Sequence, residues 1–243
     1  MSVNAGASPH PDKTRRLPSP SVVGLTVEGL TKSYPVGHGG KDRTLFRDLA
    51  FELKTGERMA ILGRNGQGKS TLIKILGGIL PVDAGRISWS MNPSWPIGFG
   101  GGFQGSLSGV DNIRFISRIY GRNYKDMLER VDSFAELGAA LLQPVKHYSS
   151  GMRARLAFGL SLAIEFDCYL IDELMAVGDA RFAAKCNEEL FNQRADRAFI
   201  MASHDMGSIR TVCSRALIIE SGEVKMFADI DEAVEIYTWL RSP

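Results

Sequence analysis

The sequence has few cysteines and no pattern among them. Cys168, Cys186 and Cys213 are the only three in 243 residues, and none of their spacings matches the CxxC of a metal or redox site. An odd, unpatterned set argues against a disulfide framework and is typical of reduced thiols in the cytoplasm. We therefore expect the three side chains to pack as small buried hydrophobes.

Long apolar runs and an excess of one charge are also lacking. No stretch approaches the roughly 18 apolar residues that span a bilayer, and the first residues lack the apolar segment of a secretory signal. We expect a cytoplasmic protein that reaches a membrane only through a partner. With 29 basic and 27 acidic residues the formal net charge is +2, which argues against a nucleic-acid-binding protein that relies on a strong basic field.

Short strands and helices alternate along most of the chain. Residues 1–20, rich in proline, serine and small side chains, are expected to form a flexible tail. Residues 22–27 and 45–53 are interpreted as antiparallel strands that flank a loop at 37–42. The pattern further predicts strands at 58–62, 85–90, 168–171 and 198–202, a glycine-dense connector at 98–105, helices within 111–142, 181–194, 206–212 and 231–240, an amphipathic helix after residue 151, and a hairpin of 216–220 with 223–227. This alternation indicates a mostly parallel sheet covered on both faces.

One short stretch carries the strongest chemical signal. It reads G-x-x-x-x-G-K-[ST], the phosphate-binding loop of nucleotide hydrolases, and lies between an apolar strand and a helical pattern, as that loop must. Its glycines let backbone N–H groups surround phosphate oxygens, and the helix adds its positive end. Lys69 can reach the β- and γ-phosphates, and the Ser70 hydroxyl can ligate Mg²⁺. The residues predicted to bind the nucleotide here are Gly63, Arg64, Asn65, Gly66, Gln67, Gly68, Lys69, Ser70 and Thr71.

Two adjacent carboxylates end a later apolar strand. Asp172 and Glu173 directly follow Tyr169-Leu170-Ile171. In a protein with a phosphate loop, the acid that holds Mg²⁺ belongs at this position, and we assign that role to Asp172. Glu173, one residue on, is placed to orient and deprotonate the attacking water.

With four further segments, the chain resembles the ATPases of the ATP-binding-cassette (ABC) family. Gln104 stands where the Q-loop glutamine does, and Tyr148-Ser149-Ser150-Gly151-Met152 where the signature motif does. Ala176-Val177-Gly178-Asp179 is similar to the D-loop, and Ser203-His204-Asp205 to the switch-histidine segment. The resemblance covers the chain from about residue 22 onward, and five motifs in this order are very specific.

The resemblance implies a fold and its parts. The fold class is α/β: a P-loop NTPase of the ABC type, whose mostly parallel core sheet is flanked by helices and accompanied by an antiparallel β subdomain and a helical subdomain. A single nucleotide-binding domain is expected at 21–243 after the tail at 1–20, with the helical subdomain at roughly 105–163.

The resemblance also implies roles for individual residues. Gln104 would offer its amide oxygen to Mg²⁺ and the attacking water, and His204 would reach the γ-phosphate. Tyr34 resembles the aromatic residue that stacks on adenine, although an ordinary strand tyrosine is an equal alternative. The implied catalytic residues are Glu173, His204 and Gln104, the Mg²⁺ ligands Ser70, Gln104 and Asp172, and the further ATP-binding residues Tyr34, Ser149, Gly151 and Asp179.

One phosphate loop per chain implies a second copy. In ABC proteins the signature motif faces the nucleotide of the other domain. Ser149 and Gly151 are the two positions that match the common Leu-Ser-Gly-Gly-Gln signature. They offer a hydroxyl and an unobstructed backbone at a helix N-terminus. A homodimer that sandwiches two ATP molecules is therefore expected.

The departures from the common motifs narrow the subfamily. Residues 100–109, 148–152 and 176–180 are similar to the ATPase subunits of bacterial exporters that move capsular polysaccharide, O-antigen or teichoic acid across the inner membrane. O-antigen members often carry an extra C-terminal carbohydrate-binding domain, so the end of the chain at Pro243 favours the capsule type, unless the chain is truncated. We expect a peripheral protein on the cytoplasmic face of that membrane. Its partner would be an integral membrane permease that handles the polysaccharide, with no role for nucleic acid.

Phe99, Phe103 and Leu107 are candidates for the surface that docks on the permease, or else they pack internally.

Two other functions stay open. A soluble ABC ATPase of translation or DNA repair usually has two cassettes or a long coiled coil, neither of which the sequence shows. A nucleotide-dependent kinase needs an acceptor site, which we cannot identify. Co-purification with a polytopic membrane protein would separate an exporter from a soluble ATPase, and phosphate release without a phosphorylated product would exclude a kinase.

Overall fold

The computed structural model describes residues 22–35, 42–97, 103–172 and 180–241. The predicted tail, most of the predicted loop at 37–42 and the first five residues of the glycine-dense connector lie outside these ranges. The strands within them are β1 (Val23–Tyr34), β2 (Arg43–Lys54), β3 (Arg58–Leu62), β4 (Ala84–Trp89), β5 (Cys168–Asp172), β6 (Ala198–Ala202), β7 (Arg215–Glu220) and β8 (Glu223–Phe227). The α-helices are α1 (Lys69–Leu76), α2 (Gly109–Ile119), α3 (Tyr124–Ala135), α4 (Ser150–Ala163), α5 (Ala180–Asn187), α6 (Met206–Val212) and α7 (Ile230–Arg241).

The strands form two sheets. In the five-stranded sheet the order is β5-β6-β3-β7-β8. The first four strands are parallel, and β8 returns antiparallel to β7 through the predicted hairpin. In the second sheet β1 is the central strand and pairs antiparallel with both β2 and β4. The predicted antiparallel strands and the mostly parallel core sheet are thus both present.

The apolar run of β3 follows from its position in the middle of the five-stranded sheet. Successive side chains of a strand point to opposite faces. Met59 and Ile61 join a hydrophobic cluster shared with the antiparallel sheet and α1, whereas Ala60 and Leu62 join a second cluster shared with the helices on the other face. Both faces are covered, so no polar residue is tolerated at these four positions.

The structure corrects one prediction about the helical part of the chain. We predicted an amphipathic helix after residue 151, but the second half of α4 is buried on all sides: Leu156 and every residue from Phe158 to Ala163 are buried. The reason is that α4 shares one hydrophobic cluster with Val131 of α3 and with Tyr169 and Phe199 of the core sheet. The enclosed half of α4 therefore has no polar stripe that faces solvent.

The three cysteines are all buried, as expected from their scatter. Burial raises the pKa of Cys186 and Cys213 to about 12, and it raises the pKa of Cys168 still further above its ordinary value. Among the described residues, no helix has both the length and the apolar content needed to span a membrane.

Candidate nucleotide-binding site

The predicted phosphate loop connects β3, which ends at Leu62, to α1, which begins at Lys69. Gly68 is the N-cap of α1, with φ at 105°, and it provides no side-chain hydrogen bond to the first turn. The first backbone N–H groups of α1 are therefore left for a ligand, and the helix dipole favours an anion there. A Cβ at Gly63 would lie 2.5 Å from the carbonyl oxygen of Ile219, so this position accepts only glycine.

The loop is braced by residues far away in the sequence. The Lys69 ammonium donates to the carbonyls of Gly63 (2.6 Å) and Arg64 (3.1 Å). The hydroxyl of Tyr237, on α7, donates to the same Gly63 carbonyl at 3.2 Å. Sequence analysis missed Tyr237, because its spacing on a helical face marks it only as a core residue.

A hydroxyl and a carboxylate meet beside the loop. Ser70 Oγ donates a hydrogen bond to Asp172 Oδ1 at 2.8 Å, although the two residues are 102 positions apart. Sheet order explains the contact: β3 and β5 are parallel and separated by β6 alone, so their carboxyl ends open at the same edge. Within the described ranges, no cluster of three or more His, Cys, Asp or Glu side chains is placed to hold a metal ion. The Ser70 hydroxyl and the Asp172 carboxylate are oxygen ligands, which suit Mg²⁺ when phosphate and water complete its coordination.

These groups line a cavity of about 560 Å³. Of the residues predicted from the sequence, it brings together Tyr34, Asn65, Gly66, Gly68, Lys69, Ser70, Thr71, Asp172 and His204. The lining also contains Arg43, Leu45 and Ala202, which were not predicted, and Ser203 of the predicted switch-histidine segment. A cavity of this size, with a cation, backbone donors and a carboxylate on one wall, has the dimensions and chemistry of a small-molecule phosphate site.

Arg43 and Leu45 belong to β2 and cover one side of the loop. Arg43 donates to the Gly66 carbonyl at 2.9 Å. The side chain of Leu45 lies 3.1 Å from where a Cβ of Gly68 would be, so it packs directly on the turn. Tyr34 is the register partner of Arg43 and is 41% exposed, which leaves its ring accessible at the edge of the cavity. No motif marks Arg43 in the sequence, because its role depends on how β2 lies over the loop.

His204 is held at the cavity by its two neighbours. It lies between the end of β6 and the start of α6. The Ser203 hydroxyl accepts from the backbone N–H of Asp205 at 3.1 Å, and the Asp205 carboxylate caps α6 by accepting from Gly207 N–H at 3.0 Å. The Ser208 hydroxyl lowers the pKa of Asp205, which keeps this cap ionised. The outer residues of the predicted Ser-His-Asp segment therefore fix the turn that carries His204.

Other predicted residues lie apart from the cavity. Gln104 is exposed and is not among the lining residues. Ser149 is the N-cap of α4, where its hydroxyl accepts from the backbone N–H of Met152 at 3.2 Å. Ser149 and Gly151 are also outside the lining, as are Gly63, Arg64 and Gln67 within the loop itself. Glu173 and Asp179, like the rest of the predicted D-loop, lie outside the described residues.

Fold and site together define a class. A parallel sheet whose central strand leads through a glycine-rich loop into a helix, with an acid at the end of a neighbouring strand, is the arrangement of a P-loop nucleoside triphosphatase. A family model described as "ABC transporter" matches residues 46–176. This chain belongs to the ABC transporter family, in its ATP-binding part. The predicted family and fold class are both confirmed.

Curated relatives match nearly the whole chain. The capsule polysaccharide export ATP-binding protein CtrD of Neisseria meningitidis serogroup B is 50% identical over 216 residues, which are 89% of this chain and 99% of that protein. The ATP-binding protein BexA of Haemophilus influenzae is 49% identical and covers 88% of this chain and 97% of its own length. The polysialic acid transport ATP-binding protein KpsT of Escherichia coli is 43% identical over 85% of this chain and 99% of its own length.

Solved structures share the fold at lower sequence identity. An ATP-binding subunit of an ABC transporter aligns with a TM-score of 0.73 and 22% identity, covering 90% of this chain and 95% of the other. A dimeric post-hydrolysis state of the ATP-binding cassette MJ0796, bound to ADP and Pi, aligns with a TM-score of 0.71 and 19% identity, covering 85% and 98%.

Proposed function

We propose that this chain is the ATP-hydrolysing, energy-coupling subunit of an ABC exporter that moves a bacterial surface polysaccharide, of the capsule type, across the inner membrane. The observation that carries the ATPase assignment is the 2.8 Å contact of Ser70 with Asp172 beside Lys69 in one cavity. The polysaccharide assignment is supported by relatives named for the export of capsule polysaccharide and the transport of polysialic acid. O-antigen and teichoic acid are the alternative cargoes.

ATP and Mg²⁺ fit the residues present. The loop leaves room for phosphate oxygens where side chains are missing, and its N–H groups precede an uncapped helix start. Lys69 would exchange its two loop carbonyls for phosphate oxygens, and Ser70 and Asp172 would hold the metal. Bound Mg²⁺ would neutralise charge on the transferred phosphoryl group. Tyr34, exposed at the cavity edge beside Arg43, would stack on the adenine ring.

Hydrolysis needs a base and groups that hold the attacking water. We assign the base to Glu173, which directly follows the metal-holding Asp172 in the sequence. His204 lines the cavity from the end of β6 and would contact the γ-phosphate. Gln104 would add its amide oxygen to the metal and the water once its loop closes on the nucleotide. Water attack releases phosphate and leaves ADP.

A second copy would complete the site. Ser149 lies at the N-terminus of α4 and outside the cavity of its own chain. A Cβ at Gly151 would meet nothing described closer than Ser149 Oγ, at 3.9 Å. Packing within the described chain therefore does not require glycine there, and alanine would favour the helix. A phosphate of a partner's nucleotide, approaching this helix start, would account for a glycine at this position.

The permease would dock on exposed apolar side chains of the helical subdomain, which we place at residues 105–163. Phe115 and Ile119 lie one turn apart on α2 and are 53% and 59% exposed. Leu107 precedes α2. Leu142 is the last residue of a 3-10 turn that packs against α2. Three residues were candidates for this surface in the sequence. Leu107 is exposed, and Phe103 packs against the core, which was the alternative considered for it. Phe99 lies outside the described residues. We call Leu107, Phe115, Ile119 and Leu142 the apolar helical face.

Gene deletion in the host tests the proposal directly. Without the chain, the polysaccharide should be made but should accumulate inside the cytoplasm. The wild-type gene should restore surface polymer, whereas Lys69→Ala should not, because it removes the cation that holds the β- and γ-phosphates. Purified wild-type protein should release phosphate from ATP with no phosphorylated product. Normal surface polysaccharide in the deletion strain would overturn the assigned export function. The lack of any ATPase activity in the purified protein would overturn its assignment as an ATPase.

A further inference from the structure

Asn112 is a fully buried polar side chain that no motif predicts. It lies in the first turn of α2 and is 1% exposed. An amide buried to this extent must find hydrogen-bond partners for both its oxygen and its nitrogen. Those partners identify what the residue does.

The Asn112 amide holds the backbone of Gln104 from both sides. Its Oδ1 accepts from the Gln104 N–H at 2.9 Å, and its Nδ2 donates to the Gln104 carbonyl at 3.2 Å. Nδ2 also lies 2.9 Å from the carbonyl of Ser108 and 3.4 Å from that of Leu107. The side chain of Gln104 remains exposed while its main chain is fixed to α2.

The residues next to Gln104 are anchored to the segment before the signature motif. The Gly105 carbonyl accepts from Lys146 N–H at 2.8 Å, and the Leu107 carbonyl accepts from Val145 N–H at 2.9 Å. The Asn112 side chain therefore joins residue 104 to α2, and backbone hydrogen bonds join the neighbouring Gly105 and Leu107 to residues 145–146. We expect a group connected in this way to move together when α2 moves.

We propose that Asn112 is the positioning residue of Gln104: its buried amide fixes the main chain of residue 104 to α2, so that the reach of the Gln104 side chain toward Mg²⁺ is set by the position of that helix. This rests on the proposed function of Gln104. The same helix carries Phe115 and Ile119 of the apolar helical face. A displacement of α2 at the permease would thereby be passed to Gln104, with Asn112 as the side chain that joins its backbone to the helix.

The test compares two buried polar residues of the same helix. Asn112→Ala removes the clamp, by which we mean the two hydrogen bonds between the Asn112 amide and the Gln104 backbone. Ser117→Ala is the matched control, because Ser117 is also 1% exposed and, within the described residues, its hydroxyl donates to the Arg114 carbonyl of its own helix. Amide hydrogen exchange at Gln104 should be slow in the wild-type protein and in Ser117→Ala, and at least about tenfold faster in Asn112→Ala, since exchange requires the protecting bond to open.

Kinetics then separate positioning from general damage. In Asn112→Ala the Mg²⁺ concentration for half-maximal ATP hydrolysis should rise by about tenfold, the loss expected when one ligand is no longer held in place. Affinity for ATP measured without Mg²⁺ should stay within about twofold of wild type, since the phosphate loop is untouched. In a double-mutant cycle, Asn112→Ala should add nothing to the Mg²⁺ requirement of Gln104→Ala, because both act through one residue.

Each outcome decides between the alternatives. Unchanged exchange at Gln104 in Asn112→Ala, or a Mg²⁺ effect that adds fully to that of Gln104→Ala, would overturn the proposal. Should Asn112→Ala fail to fold, the near-isosteric Asn112→Asp keeps the acceptor for Gln104 N–H and loses the donor. It should keep slow exchange and still raise the Mg²⁺ requirement. If Gln104→Ala itself hydrolyses ATP with a normal Mg²⁺ profile, the assigned role of Gln104 fails, while exchange at Gln104 still measures the clamp.

Discussion

The hydroxyl of Tyr237 donates a hydrogen bond to the carbonyl of Gly63, although 174 positions separate the two residues. Lys69 shares the same acceptor. When Lys69 turns to a phosphate, Tyr237 remains as the described side chain that holds this carbonyl. Burial raises the pKa of Tyr237, so its hydroxyl stays protonated and able to donate. The last helix of the chain thus contributes to the shape of the phosphate loop.

Tyr237→Phe removes only that hydroxyl and keeps the packed ring. We expect ATP affinity to fall by about two- to thirteenfold, because a hydrogen bond of this kind contributes about 0.5–1.5 kcal/mol. Calorimetric titration with ATP measures the change.

Tyr148→Phe is the matched control, because Tyr148 is equally buried and its hydroxyl donates to the Ala140 carbonyl, away from the loop. It should lower thermal stability to a similar extent and leave ATP affinity of the isolated subunit unchanged. Equal ATP affinities in both variants would contradict the bracing role of Tyr237.

Glu173→Gln should nearly abolish turnover while ATP binding is retained. The amide cannot accept the proton of the attacking water, and loss of a general base costs about 10²- to 10⁴-fold in rate. The phosphate cradle is unaffected, so the variant should trap ATP and favour the dimer. Phosphate release and size-exclusion chromatography with ATP measure the two effects. Glu165→Gln, an exposed carboxylate near Arg130, serves as the control. Wild-type steady-state hydrolysis by Glu173→Gln would rule out the assignment.

Ser149→Arg should block the ATP-dependent dimer while each monomer still binds ATP. A large cation at the start of α4 occupies the space that the partner's γ-phosphate requires, and it also removes the helix cap. Asn123→Arg is the control for the loss of a helix cap, because the Asn123 side chain caps α3 as Ser149 caps α4. Analytical ultracentrifugation with ATP should show dimers for Asn123→Arg only. An unaltered dimer with Ser149→Arg would refute the role of the signature serine across the interface.

The three thiols should resist alkylation at pH 8 in the folded protein. A pKa of about 12 for Cys186 and Cys213 leaves almost no thiolate at that pH, and thiolate is the reactive form. Since the pKa values are raised, reactivity should increase only as the pH climbs toward 12 or when the chain unfolds. Iodoacetamide followed by mass spectrometry should label none of the three before denaturation and all three after it. Rapid labelling of Cys213 in the native protein would contradict its burial.

Much of the site could be predicted because its signals are local. The apolar run of β3, the glycines at 63, 66 and 68, and the helical spacing after Lys69 depend on neighbours only a few positions away. Asp172 could be placed because a buried strand that ends in a carboxylate is also a local pattern. Arg43 and Asn112 carried no such signal. Arg43 contacts a main-chain group of the phosphate loop that depends on how β2 packs over it, and the bonds of Asn112 depend on the conformation of the turn before α2.

The sequence by itself determined which segments become strands, the phosphate loop and the helix that receives the phosphate, because glycine conformation, apolar periodicity and helix starts act over a few residues. Only the tertiary structure decided that β3 and β5 open at one edge, so that Ser70 meets Asp172, and that the second half of α4 is enclosed on every side. It also brought Tyr237 to Gly63. These contacts join positions up to 174 residues apart, and they form only when burial of two hydrophobic clusters has fixed the order of the sheet.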